Sequence, residues 1–141
     1  MKAALCAVVL LVCSSPASFS QTKHPSVRIV FDCQCQDDTG ARFAAAFRDL
    51  LAASPRYAEV TEPIEHPSGG NAVLFNWHLK VVSVDGSASG TGANAAISLV
   101  LLRGEDIFIT QSVQLCGRLK AEACARSAFM KVDDRISAWG E

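Results

Sequence analysis

What this sequence withholds narrows it first. It carries no surplus of positive charge: Lys and Arg number 13 against 14 Asp and Glu, a formal net charge of −1. A nucleic-acid or anionic-membrane binder needs a basic stripe as its electrostatic footprint, so neither partner is expected. After residue 20 no apolar run is long and unbroken enough to span a membrane. Internal repeats and long low-complexity tracts are missing as well. A chain of 141 residues then reads as one domain with enough length to bury a core.

Motifs that carry chemistry fail at particular letters. "DGSASGTG", Asp85 to Gly92, has the glycines of a phosphate cradle but no Lys after the last one, and it lies between strands rather than between a strand and a helix. The same stretch misses a nucleophile elbow because Ala88 stands where the serine belongs. The three histidines, His24, His66 and His78, form no paired ligand motif. Asp133 and Asp134 are adjacent on a helical stretch, so their side chains diverge and read as a solvated face rather than an acid–base pair. No catalytic residue, metal site or cofactor is expected.

What is present begins with an export signal. Lys2 precedes the apolar run "AALCAVVLLVC", followed by the small and polar "SSPASFSQ". Residues 1–20 are expected to be a signal peptide, with Ser18 and Ser20 placing the cut before Gln21. A lipid anchor at Cys13 is the alternative, disfavoured by Val12 in front of it. Loss of Lys2 with the leader leaves 12 basic against 14 acidic residues. Residues 21–26 form a flexible lead-in, and 27–141 form a disulfide-stapled domain.

Hydrophobic periodicity sets the elements of that domain. "VRIVFDCQC" alternates, with Val27, Ile29, Phe31, Cys33 and Cys35 on one face. "ARFAAAFRDLLAA" switches to helical period, with Phe43, Phe47, Leu50 and Leu51 in a stripe and Asp38 or Thr39 as the cap. Pro55 stops the helix and "RYAEV" makes a short edge strand. The loop "EPIEHPSGG" leads to a strand, "AVLFNWHLKVVSV", and two more strands follow, "AAISLVLL" and "IFITQSVQLC". A final helix, "KAEACARSAFMKVDDRISAW", aligns Ala121, Cys124, Ala125, Ala128, Phe129, Val132, Ile136 and Trp139. The expected fold is α+β, in the order β-α-β-β-β-β-α, a two-layer sandwich of a mainly antiparallel sheet with both helices on one face.

Cys33, Cys35, Cys116 and Cys124 remain after the leader, and an even number in an exported domain favours disulfides. On an extended strand Cys33 and Cys35 stand roughly 6.5–7 Å apart, at the limit for a bridge. The favoured pairing is therefore Cys33 with Cys124 and Cys35 with Cys116, or the reverse, each closing more than eighty residues. Such loops contribute about 4–5 kcal/mol in the chain-entropy account. The local alternative, Cys116 with Cys124, would leave the "CQC" pair free, and two other roles attach to that pair. A zinc site wants C-x2-4-C spacing; a redox pair wants a cation or helix N-terminus, whereas Asp32, Asp37 and Asp38 flank this one. Away from the cysteines, Asn76, His78 and Lys80 line the polar face of a strand and would touch anything that covered it.

The order of these elements resembles a family. A strand, then "RFAAAFRDLLAASPRYAEV", then long antiparallel strands and a helix of the type "ACARSAFMKVDDRI" is similar to the amino-terminal α/β domain of TolB translocation proteins. It is also similar to CsgG-like and penicillin-binding-protein-activator modules of bacterial envelopes. There a helix runs into s-x-R-[FY]-x-x-V, matched here by Ser54, Arg56, Tyr57 and Val60. The likeness covers residues 27 to 138; the four cysteines lie outside the family's pattern, and the β-propeller that follows in TolB has no counterpart. The resemblance implies a binding module rather than an enzyme. The expectation is an extracytoplasmic, periplasmic or secreted, non-enzymatic protein-binding module of the cell envelope, meeting an envelope protein or itself, through a sheet edge or the segment 21–26. The alternative is a thiol-active or metal-binding protein that uses Cys33 and Cys35.

Overall fold

Apolar alternation and helical stripes become elements where expected. The structure, a computed structural model, describes residues 26–61, 76–86, 93–104 and 106–139. The leader, Cys13, the segment 21–25, the loop "EPIEHPSGG" and the tip of "DGSASGTG" lie outside the described residues. The elements run β1 (Val27–Cys35), α1 (Asp38–Ala53), β2 (Tyr57–Glu59), β3 (Trp77–Asp85), β4 (Asn94–Arg103), β5 (Ile107–Gly117) and α2 (Ala121–Trp139). A 3-10 turn, Arg118–Lys120, leads into α2.

These strands form one sheet in the order β2-β1-β3-β4-β5. It is mixed. The ladder of β1 runs parallel to both β2 and β3, while β3–β4 and β4–β5 are antiparallel. The expected α+β fold, a mainly antiparallel sheet with two helices, is found; β3, β4 and β5 are its antiparallel part and β1 its parallel one. The reason is that β1 inserts between β2 and β3, a choice made by long-range pairing rather than by local pattern. Both ends of the β3–β4 pair are closed by backbone bonds: Gly86 donates to the Asn94 carbonyl (2.8 Å) and Gly104 to that of Asn76 (2.8 Å). Gly104 adopts a φ of 66°, the left-handed region open to glycine, which lets β4 reverse within a few residues.

One face of the sheet carries the core. Ile29, Leu79, Val81, Ile97 and Leu101 from the strands meet Phe43, Phe47 and Leu51 of α1 and Ala125, Ala128, Val132 and Ile136 of α2, all buried. Phe47 stacks on Phe31 (5.3 Å between centroids), and Phe129 of α2 meets Phe47 and Tyr57 edge-on at 5.7 and 5.6 Å. Aromatic contacts of this kind add about 0.5–1.5 kcal/mol beyond their burial. They lock the two helices to each other and to β1. Trp139, expected on the apolar stripe of α2, is instead half exposed, because it falls at the last position of the helix, past the edge of the sheet.

The cap of α1 sits one residue before the expected positions. Asp37 accepts from the Gly40 N–H (2.7 Å) and also from the Ser83 hydroxyl of β3. One carboxylate thus satisfies an orphan donor at the helix start and ties that start to the sheet.

Candidate functional site

Among the described residues, the two-layer arrangement leaves one face of the sheet without a helix. Read across the strands, the registers set out rows on that face: Gln34–Val82–Ser98–Val113, Asp32–Lys80–Val100–Gln111, Val30–His78–Leu102–Phe108, and Val84–Ala96–Leu115 at the end. None of these residues is buried. Five large apolar side chains stand well exposed here: Val82 (40 %), Val84 (60 %), Phe108 (59 %), Val113 (65 %) and Leu115 (82 %). Among the described residues, no element covers them.

β5 explains why this is more than scattered surface. Ile109 and Cys116 pack against the core; between them the helix-side positions are Thr110, Ser112 and Gln114, and the outward positions are Gln111, Val113 and Leu115. A strand at the rim of a two-layer fold turns its apolar side toward the helices; between Thr110 and Leu115, β5 turns it away. Slipping a register by one residue would reverse every side chain. The register is held, however. Cys116, opposite Ala95, is bonded to Cys124 in the second turn of α2, and Gln114 donates to the Cys124 carbonyl (3.3 Å). β5 is also the outermost strand, eleven residues long, without proline or charge. Edge strands in soluble monomers are usually blunted by such residues.

The expected contact row divides. Asn76 is buried rather than on a wet face, because it precedes β3 at the Gly104 turn, where its carbonyl accepts the turn's N–H. His78 and Lys80 do lie on the bare face. Lys80 sits directly across from Asp32, an opposite-charge cross-strand pair, and His78 lies between Val30 and Leu102. Both border a groove of about 370 Å³ where β2 ends at Glu59, with the Arg48–Glu59 ion pair (3.2 Å) at its rim. Val113 and Leu115, the most exposed members of the face, were not foreseen as site residues. The signal was available: in "SVQLC", Cys116 must face α2 if it bonds Cys124, so Val113 and Leu115 must face away.

The cysteine pairing differs from the expectation. The bonds are Cys33–Cys35 and Cys116–Cys124, both local. Two strands, β3 and β4, separate β1 from β5, which puts the pairs about 14 Å apart at the usual strand spacing, beyond a bridge. The Cys33 and Cys35 Cα atoms stand 5.4 Å apart, so the end of β1 is shorter than an extended strand and brings them within reach. Among the described residues, no group of three or more His, Cys, Asp or Glu could hold a metal ion, and no helix is long and apolar enough to cross a membrane. Asp133, expected on a solvated face, instead accepts from Arg56 (2.7 Å) and from the Tyr57 hydroxyl, tying β2 to α2.

Compared with known protein families and with curated proteins, the chain matches none.

Proposed function

We propose that this is an exported, non-enzymatic protein-binding module of the cell envelope, cut before Gln21 and working outside the cytoplasm through the bare face of β3, β4 and β5. The observation that carries this reading is the reversed polarity of β5, which points Val113 and Leu115 away from the helices. An apolar patch of this size on a soluble protein marks an interaction site. The likeness to TolB-type envelope modules agrees with it, as does the apolar leader at residues 3–13.

In-cell photo-crosslinking tests the proposal. A photoreactive residue at Val113 should give a discrete adduct, while one at Met130, 56 % exposed on α2, should give none. Equal labelling at both positions, or at neither, contradicts it. The N-terminus of the exported protein, read by mass spectrometry, should be Gln21; retention of residues 1–20 would remove export from the reading.

A second reading rests on the Cys33–Cys35 bond. Such a pair could accept two electrons from the dithiol of another protein, its own bond opening to two thiols as the partner's closes. Its half-buried place, packed against the core beside Asp37, argues for a structural link instead. Titration with dithiothreitol separates the two. Selective reduction of Cys33–Cys35 in the folded protein supports exchange, and reduction only together with unfolding excludes it.

A further inference from the structure

We infer that the partner on the bare face is a second copy of this chain, the two sheets stacking face to face so that four layers form, helices outside and sheets within. The inference rests on the binding-face reading above and names its occupant. Charge supplies one argument. Lys80 and Asp32 already oppose each other across β1 and β3, and Arg28, at the opposite end of β1 from Gln34, is the further charge on that face among the described residues. The apolar rows of Val82, Val84, Val113 and Leu115 carry no charge for an acidic or basic partner to match, so they meet a second copy without repulsion. The small net charge of the whole chain adds little long-range opposition.

Area supplies the other argument. Four strands at the usual spacing span roughly 19 Å, and four alternate rows along them roughly 27 Å, or about 500 Å² of flat face per copy. Two copies would cover about 1,000 Å² before side-chain relief is counted, the size at which specific interfaces begin. Sheets stacked about 10 Å apart interdigitate side chains from their facing sides. Val82, Val113 and Leu115 project from such a surface, while Ala96 and Ser98 between them leave room for incoming side chains.

Sedimentation equilibrium at micromolar concentration tests the stack with four proteins: the wild type, Val113→Lys, Val82→Lys and Ser112→Glu. Val113 and Val82 lie on the bare face. Ser112 is one residue away on β5 but turns toward α2, beside Lys131 and Arg135, where a carboxylate is tolerated. The wild type and Ser112→Glu should sediment with the mass of two chains. Either lysine should weaken association by at least about a hundredfold, the cost of burying an unpaired ammonium, and yield single chains with an unchanged circular dichroism spectrum. A wild type that stays single at every concentration overturns the second copy. In that case an adduct at Val113 with a different protein leaves the binding face standing, and the lack of any adduct removes both. Two-chain mass in all four proteins places the contact elsewhere and overturns the stack, and the crosslink at Val113 then decides the binding face by itself.

Discussion

Asp37 shows how much can depend on one side chain. Its carboxylate caps α1 through Gly40 and holds Ser83 of β3, so helix start and sheet share one acceptor. Asp37→Ala should cost about 1–3 kcal/mol, a cap plus a hydroxyl left without its acceptor in a nearly closed site, measurable by urea unfolding. Gly40 is small for the same reason: a Cβ there would collide with the Ser83 side chain and stand 3.0 Å from the Asp37 carboxylate. Gly40→Ala should therefore destabilise by about 1–3 kcal/mol, although alanine is the better helix former. A more stable Gly40→Ala protein would mean that this junction is looser than described. The sequence made the acidic cap visible but not its position. Asp37, Asp38 and Thr39 are all competent cap residues, and only the approach of β3 selects the first.

Individual strands and helices were legible because their apolar periods are local: two for "VRIVFDCQC", near 3.6 for "ARFAAAFRDLLAA". Their order in the sheet was not. Insertion of β1 between β2 and β3 leaves no mark in either period, and the error in sulfur pairing follows from it. The consequence is energetic. A bridge from Cys116 to Cys124 closes a short loop and contributes about 2.5 kcal/mol in the chain-entropy account, well below an eighty-residue loop. Replacing both cysteines by serine should thus lower stability by about that amount without abolishing folding; complete unfolding would indicate a long-range bridge after all. The motif Ser54, Arg56, Tyr57 has a physical role at this scale too. Ser54 ends α1, and Arg56 and Tyr57 reach Asp133 and so dock β2 onto α2. Asp133→Ala should cost about 1 kcal/mol, or about 4 °C in Tm, since the pair is partly solvent-exposed.

At the scale of the molecule, two layers were foreseen and the consequence of having only two was not. A strand such as "AVLFNWHLKVVSV" advertises one wet face through Asn76, His78 and Lys80. The structure buries Asn76 and carries the apolar surface to the far end of β3, at Val82 and Val84, and to the edge strand β5, at Val113 and Leu115. Any bond from Cys116 to the helix side of the fold turns Val113 and Leu115 outward, so this side of β5 was legible from "SVQLC" by alternation alone. The central claim is that this face is covered by a second copy of the chain. Relaxation of methyl protons by a soluble paramagnetic agent tests it most directly, with Met130, 56 % exposed on α2, as the reference. The account predicts that the Val113 and Leu115 methyls are shielded at high protein concentration and become as accessible as that of Met130 on dilution. Equal, concentration-independent relaxation at all three would contradict it.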